Sequence, residues 1–280
     1  MKRGLLGAGL LAALVLAVVA VQAALEAASY PVSDLATRTP RVTALMRERG
    51  ATAPVDQRWI AYESVSPLLR RAVLVAEDDA FFTHGGLDWN EIQASARRDL
   101  EAGRIVRGGS TITQQLARNI FLGDARTLSR KLKEVFLALR FERTLSKRRI
   151  FELYLNLIEW GDGIYGIEAA ARRYFGVPAS ALSPREAVLL AAVIINPRRF
   201  SPVAPPARIE RRVRIIAGRL RRRGFLDDQA YALAIGEPLA SPAPATVLPG
   251  GAAADSAPPP APAESAAAAP AESLAPAPGP

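Results

Sequence analysis

Apolar residues in this chain recur at helical rather than strand spacing. Gly4 to Leu25 form an uncharged run interrupted only by Gln22, with Lys2 and Arg3 ahead of it. A membrane-spanning helix needs about 20 apolar residues, and this run supplies them. The basic residues before it predict a cytoplasmic N-terminus at residues 1–3 and an anchor over residues 4–25, with the remainder across the membrane. A cleaved signal peptide is the rival, because small residues surround Val21-Gln22-Ala23. The run exceeds the usual ~7–15-residue signal core, which favours a retained anchor.

Further helices announce themselves by caps and period. Ser66-Pro67 reads as an N-cap followed by proline at the first helical position. Behind it Leu68, Leu69, Ala72, Val73 and Ala76 fall on one face. Ser183-Pro184-Arg185-Glu186 has the form of a capping box, followed by the apolar run Ala187 to Ile195 and a stop at Pro197. Ser146 is placed to cap a helix through Ile150, Leu153, Tyr154, Leu157 and Ile158. Ser110, after Gly108-Gly109, is placed to cap another. No convincing alternating run and no internal repeat is present, so the expected fold class is all-α, with at most a trivial hairpin. Ala240 to Pro280 holds 11 of the 22 prolines and almost no large apolar side chain. Such a segment cannot offset its ordering entropy by burial, and a disordered Pro/Ala-rich tail is expected over residues 237–280.

Composition narrows the chemistry. The 280 residues leave room for one domain or two. No cysteine is present, which excludes disulfides, thiol catalysis and cysteine-held zinc. The lone histidine, His84, gives a Ser-His-Asp triad or a histidine metal cage little to build from. A net charge of +9 fits a solvated surface, nucleic acid, an anionic membrane face or a phosphate-bearing substrate.

Four segments carry candidate chemistry. In Glu77-Asp78-Asp79-Ala80-Phe81-Phe82-Thr83-His84-Gly85-Gly86-Leu87-Asp88, acids close an apolar helix and oppose its macrodipole, so local stability does not explain them. Apolar neighbours and the adjacent acid Asp78 are expected to raise the pKa of Glu77 toward that of a useful base. A solvated acidic turn is the plainer alternative, and His84 alone reads as structural. In Gly108-Gly109-Ser110-Thr111-Ile112-Thr113-Gln114-Gln115-Leu116-Ala117-Arg118-Asn119, a glycine pair and a helix N-terminus suit an anion. Thr111, Gln115 and Arg118 share one face at i, i+4 and i+7, a face suited to phosphate or sugar hydroxyls. An ordinary capped amphipathic helix has the same look.

The third segment, Arg130-Lys131-Leu132-Lys133-Glu134, surrounds one glutamate with cations. It suits a diphosphate or, more plainly, a surface ion pair worth well under ~1 kcal/mol. The fourth runs from Ser146 through Asn156 to Glu159-Trp160-Gly161-Asp162-Gly163. There Asn156 and Glu159 are candidates to support the site or touch a sugar, within a stretch that otherwise reads as a core helix and a glycine turn.

Taken together and in this order, the segments resemble the peptidoglycan glycosyltransferase family, most closely its monofunctional members, the biosynthetic peptidoglycan transglycosylases. The resemblance runs from about Ala53 to Gly224. It rests on Glu77-Asp78 with Phe81, His84, Gly86 and Asp88; on Gly108-Gly109-Ser110-Thr111 with Gln114-Gln115 and Asn119; on Arg130-Lys131 with Glu134; and on Ile150 with Glu152-Leu153-Tyr154-Leu155-Asn156. Arg118 departs from the lysine that many members carry. Charge is kept, but the two bind phosphate differently.

The resemblance implies a lysozyme-like helical domain at 53–236, behind the anchor and a juxtamembrane segment at 26–52. It implies polymerisation of lipid II into β-1,4 glycan with inversion and release of undecaprenyl diphosphate. Glu77 would be the general base, and Glu134 the second essential glutamate near the leaving diphosphate, where it could help hold a divalent cation (Mg2+ or Mn2+). Thr111, Gln115, Arg118 and Arg130 would bind the diphosphate and sugars. Asp78, Phe81, Ser110, Asn119 and Asn156 would support them. No organic cofactor is implied. The implied partners are lipid II, the growing lipid-linked glycan, the bacterial inner membrane and other cell-wall synthesis proteins, and not nucleic acid.

The sequence shows none of the transpeptidase signatures Ser-x-x-Lys, Ser-x-Asn or Lys-Thr-Gly, so no transpeptidase activity is expected. A lysozyme-type hydrolase is the enzyme rival, but it has no use for a diphosphate patch. A nucleic-acid module is the non-enzyme rival, suggested by the basic run Arg208 to Arg223. The export signal opposes it, and no aromatic residues interleave with the bases. That run is expected to be a solvated or membrane-facing surface.

Overall fold

The computed structural model describes residues 2–50, 57–103, 109–125 and 127–237. Met1, residues 51–56, residues 104–108, Arg126 and residues 238–280, which make up all of the expected tail except Glu237, lie outside this set.

The run expected to be an anchor lies in a single helix, α1 (Lys2–Ser29). Its stretch Gly9–Ser29 is long and apolar enough to cross a membrane, and only 11 % of it is buried. The helix runs four residues past the expected end at Leu25. It does so because its last turns pack on protein: Ala23 and Ala27 are fully buried against α6 (Leu128–Thr144). Lys133 pairs with Glu26, and Arg140 donates to the carbonyls of Ala27 and Tyr30. The segment expected to follow the membrane is packed as well. Val32, Leu35, Leu45 and Met46 are buried, and Leu45 and Met46 lie in the short helix α2 (Ala44–Glu48).

The remaining helices are α3 (Pro67–Glu77), α4 (Trp89–Ala102), α5 (Ile112–Ala117), α7 (Lys147–Leu157), α8 (Ile167–Phe175), α9 (Pro184–Val193), α10 (Ala207–Arg222) and α11 (Asp228–Ile235). The expected caps form at Ser66, Ser146 and Ser183, the last as a full capping box. The all-α expectation holds, with one small antiparallel hairpin between β1 (Glu159–Gly161) and β2 (Ile164–Tyr165).

The core is built where α3 packs on α9, α5 on α6 and α7, and α10 on α3 and α9. Phe81, Phe141, Phe151, Tyr154 and Trp160 are fully enclosed in it. Each such ring buries about 150–250 Å², roughly 4–6 kcal/mol at ~25 cal/mol per Å² before ordering entropy is subtracted. One glycine is needed to let α7 approach the chain after the hairpin. Gly166 has φ +83°, and a Cβ there would sit 2.8 Å from the Asn156 carbonyl oxygen.

Candidate active site

The end of α3 and the start of α5 are tied together by a single carboxylate. Asp78 is buried. It accepts the backbone N–H of Ile112 at 2.9 Å and faces His84 Nε2 at 2.9 Å. The N–H of Gly86 donates to His84 Nδ1 at 3.1 Å. That bond leaves Nε2 as the protonated nitrogen, donating to Asp78. His84 is thus structural, as its isolation suggested.

Glu77, one residue earlier, points elsewhere. Its side chain is 13 % exposed. One oxygen accepts from Arg212 Nη2 at 2.8 Å, the other from Gln115 Nε2 at 3.2 Å. Burial pushes its carboxyl up from the ordinary range, while Arg212, Gln115 and Arg118 pull it back. The direction matches expectation, and of the two expected causes the apolar surroundings act, by desolvation, while the adjacent acid does not. Asp78 is occupied by Ile112 and His84 and is not among the causes.

Gln115 is itself held. Tyr154 O–H donates to its Oε1 at 3.0 Å, so the NH2 end must face Glu77 and the Ser110 carbonyl, which it also reaches. Burial first, and Glu77 second, push the Tyr154 phenol well up, so Tyr154 remains a donor. From Ser110 the network continues: its hydroxyl accepts from Lys131 Nζ at 2.9 Å, and the same Nζ donates to Glu134 Oε2 at 2.9 Å. Arg130 takes the other oxygen of Glu134. Glu134 is 4 % exposed at its side chain, so this is no surface pair. Arg212, Glu77, Gln115, Ser110, Lys131, Glu134 and Arg130 form one connected chain of polar contacts.

The helix face expected to carry Thr111, Gln115 and Arg118 is built differently. Thr111, and not Ser110, caps α5: its hydroxyl accepts from Gln114 N–H and donates to the Gly86 carbonyl at 2.7 Å. Thr111 is buried and committed. After Ala117 the helix widens into a π-turn over Arg118–Leu122. Asn119 explains the widening, because its Nδ2 takes the Gln115 carbonyl at 2.8 Å, the acceptor its own N–H would use in an α-helix. Arg118 sits at the junction, with Nε buried and unpartnered and its charge felt at Glu77 and Tyr154. Phe81 is a fully buried ring with Lys147 Nζ 4.3 Å from its centre.

Of the two roles open to Asn156, support of the site or contact with a sugar, its hydrogen bonds fit the first. Its amide brackets the Ile60 backbone, accepting from the N–H and donating to the carbonyl, both at 2.9 Å. It is 1 % exposed and holds an incoming strand of chain rather than a sugar. Glu159 pairs with Arg49 and accepts from Gly163 N–H. A divalent cation does not fit the donors at Glu134. Both its oxygens are taken by cations, and no cluster of three acids or histidines exists among the described residues.

Sequence reasoning missed Arg212. The basic run is not simply a surface: Arg212 and Arg219 reach the carbonyls of Ala76 and Val75, and Arg223 grips Asp79 with two nitrogens. These cations sit at the C-terminus of α3, where its dipole and acids need them. The signal was present, since Arg212 interrupts the buried stripe Ile209, Val213, Ile216 and Leu220.

Comparison with known proteins decides the family. The sequence matches the family described as Transglycosylase over residues 44–221. The chain belongs to the transglycosylase family. Among curated relatives named biosynthetic peptidoglycan transglycosylase, it is 44 % identical over 191 residues to the one from Nitrosomonas eutropha, covering 66 % of this chain and 78 % of the relative. It is 45 % identical over 188 residues to that of Laribacter hongkongensis, covering 65 % and 82 %. It is 52 % identical over 166 residues to that of Rhodospirillum centenum, covering 59 % and 71 %. The lysozyme-like helical fold of the transglycosylase family accords with the helical core described above.

Proposed function

We propose that this transglycosylase polymerises lipid II into β-1,4-linked glycan in bacterial cell-wall synthesis, with inversion and release of undecaprenyl diphosphate, and without transpeptidase activity. The relatives' names support a peptidoglycan substrate. The observation that carries the finer reading is the connected network from Glu77 to Glu134. It couples a desolvated carboxylate to a cation-rich end and so divides the labour of a displacement.

In this reading Glu77 takes the proton of the acceptor sugar's 4-hydroxyl as that oxygen attacks the donor's anomeric carbon. The bond from that carbon to the diphosphate oxygen breaks, and its electron pair leaves with the diphosphate. Negative charge therefore grows at the far end, where Arg118, Arg130 and Lys131 stabilise it. Glu134 holds Arg130 and Lys131 in position. Gln115 and Tyr154 fix the direction of Glu77. No step is routed through a metal ion.

Export with the N-terminus in the cytoplasm, through α1, would put the site on the outer face of the inner membrane, where a lipid-linked substrate diffuses in two dimensions. The test is incubation of the full-length chain with lipid II in detergent or vesicles. Glycan lengthening with release of undecaprenyl diphosphate is expected. Shortening of preformed glycan without polymerisation would replace this reading with hydrolysis.

A further inference from the structure

The π-turn that begins at Arg118 is fixed at both ends. Asn119 opens it. At its close the N–H of Gly123 donates to the carbonyl of Arg118 itself, at 3.0 Å. A widened turn lacks the regular i to i−4 ladder that sets the register of an α-helix, so its close has to be held from outside. The hold comes from far upstream. Glu48 Oε2 accepts the N–H of Asp124 at 2.6 Å, across 76 residues. Gly123 has φ +71°, and a Cβ there would collide with the same carboxylate. Arg49 pairs with Asp124 at 3.4 Å through one nitrogen and with Glu159 through the other. Glu159 is 5 % exposed at its side chain. It opens β1, five residues after Tyr154, the donor to Gln115. Beneath these contacts α2 packs on the π-turn, with Leu45 and Met46 buried. Glu48 and Arg49 belong to no segment for which the sequence suggested chemistry. A buried ion pair is weak support for stability, and its best-attested use is to fix one register.

We propose that Glu48 and Arg49 are positioning residues for Arg118. By clamping Gly123 and Asp124 they fix the turn whose closing bond ends on the Arg118 carbonyl, and so hold its guanidinium where the diphosphate departs. The inference rests on Arg118 stabilising that leaving group. Arg49 does a second thing: its fork serves two acids at once, which the point charge of a lysine does less well. It thereby ties the π-turn to the stretch of chain that follows Tyr154. Arg118 and Tyr154, which both act on Glu77 or its partner Gln115, are joined into one frame by a residue that touches neither the base nor the substrate.

The experiment uses full-length protein polymerising lipid II in detergent. A misplacement of about 1 Å caused far from the chemistry can cost up to about 100-fold. Arg49→Ala is expected to lower kcat about tenfold and leave KM within about twofold of the parent's, because charge grows on the diphosphate only in the transition state. Loss of folded protein would also lower kcat, so the deciding measurement is a double-mutant cycle with Arg118→Gln. Arg49→Ala should cost less than about twofold once Arg118 is already Gln, whereas a loss through unfolding is as large in either background. Arg49→Ala strands the buried Glu159. The cycle is therefore repeated with Arg49→Ala joined to Glu159→Gln, which removes the stranded charge, and with Glu48→Ala, which strands none. Both should show the same dependence on Arg118, Glu48→Ala with a smaller loss of about threefold. Equal losses in the two backgrounds, or variants that polymerise at the parent rate, overturn the proposal. Arg118→Gln working at the parent rate overturns the role given to Arg118 in the functional reading, and the proposal with it.

Discussion

Asp78 accepts the backbone N–H of Ile112 at 2.9 Å, across 34 residues of chain. This bond seats the first turn of α5 against the last turn of α3. Gln115, one turn further along α5, then meets Glu77, the residue before Asp78. Two adjacent acids that look alike in sequence thus do different work: Asp78 fixes the frame and Glu77 faces the site.

Breaking that frame should cost stability and activity together. Asp78→Ala leaves the buried Ile112 N–H and His84 without their acceptor. An unsatisfied buried donor costs about 1–3 kcal/mol, so urea unfolding should show a loss at the upper end of that range or beyond. Glycan synthesis by the remaining folded protein should also fall, because Gln115 is no longer held against Glu77.

Glu77→Gln should separate activity from stability. Loss of a general base costs about 10²- to 10⁴-fold in rate. Burial raises the Glu77 pKa above 4.5. The stability this group contributes is therefore fully present below its unfolded pKa and is lost as pH rises through its folded pKa. Removing the carboxylate lifts that penalty. The melting temperature of Glu77→Gln at pH 8 should be no lower than the parent's, with any difference shrinking toward pH 4. In the parent, polymerisation should fall on the acid side at a pH above the ordinary carboxylate range.

Glu134→Gln should behave in the opposite way. Glu134 is the shared acceptor of Arg130 and Lys131, and Arg130 Nε is already buried without a partner. Removing the charge leaves partly buried cations uncompensated, at a cost of about 3 kcal/mol. Thermal unfolding should fall by several degrees along with activity, and a melting temperature equal to the parent's would contradict the burial described for this pair.

Asn156→Ala tests whether that residue is structural. It removes both bonds to Ile60 and a third, to the Glu152 carbonyl at 2.8 Å. Stability should drop by about 2–4 kcal/mol. The KM for lipid II, measured on folded protein below its melting temperature, should stay within about twofold of the parent's, since the side chain has no free polar group to offer a sugar. A large KM change with unchanged stability would restore a substrate role.

The sequence by itself determined the elements and their chemical endowment. Period, caps and charge are local properties: Ser66-Pro67, Ser146 and Ser183-Pro184 cap the helices that follow them, and the span before Leu25 is a helix. The acids and bases of the site were legible for the same reason, as polar residues that no local rule explained. Tertiary structure alone decided how they pair. That Thr111 is consumed as a cap, that Asn119 opens a π-turn and that Asn156 holds Ile60 depends on which backbone groups arrive from distant segments needing partners. The burial that raises Glu77, and the approach of Arg212 from 135 residues away, exist only once α10 packs on α3. Desolvation and long-range ion pairs are properties of enclosed volume, which a linear pattern does not contain.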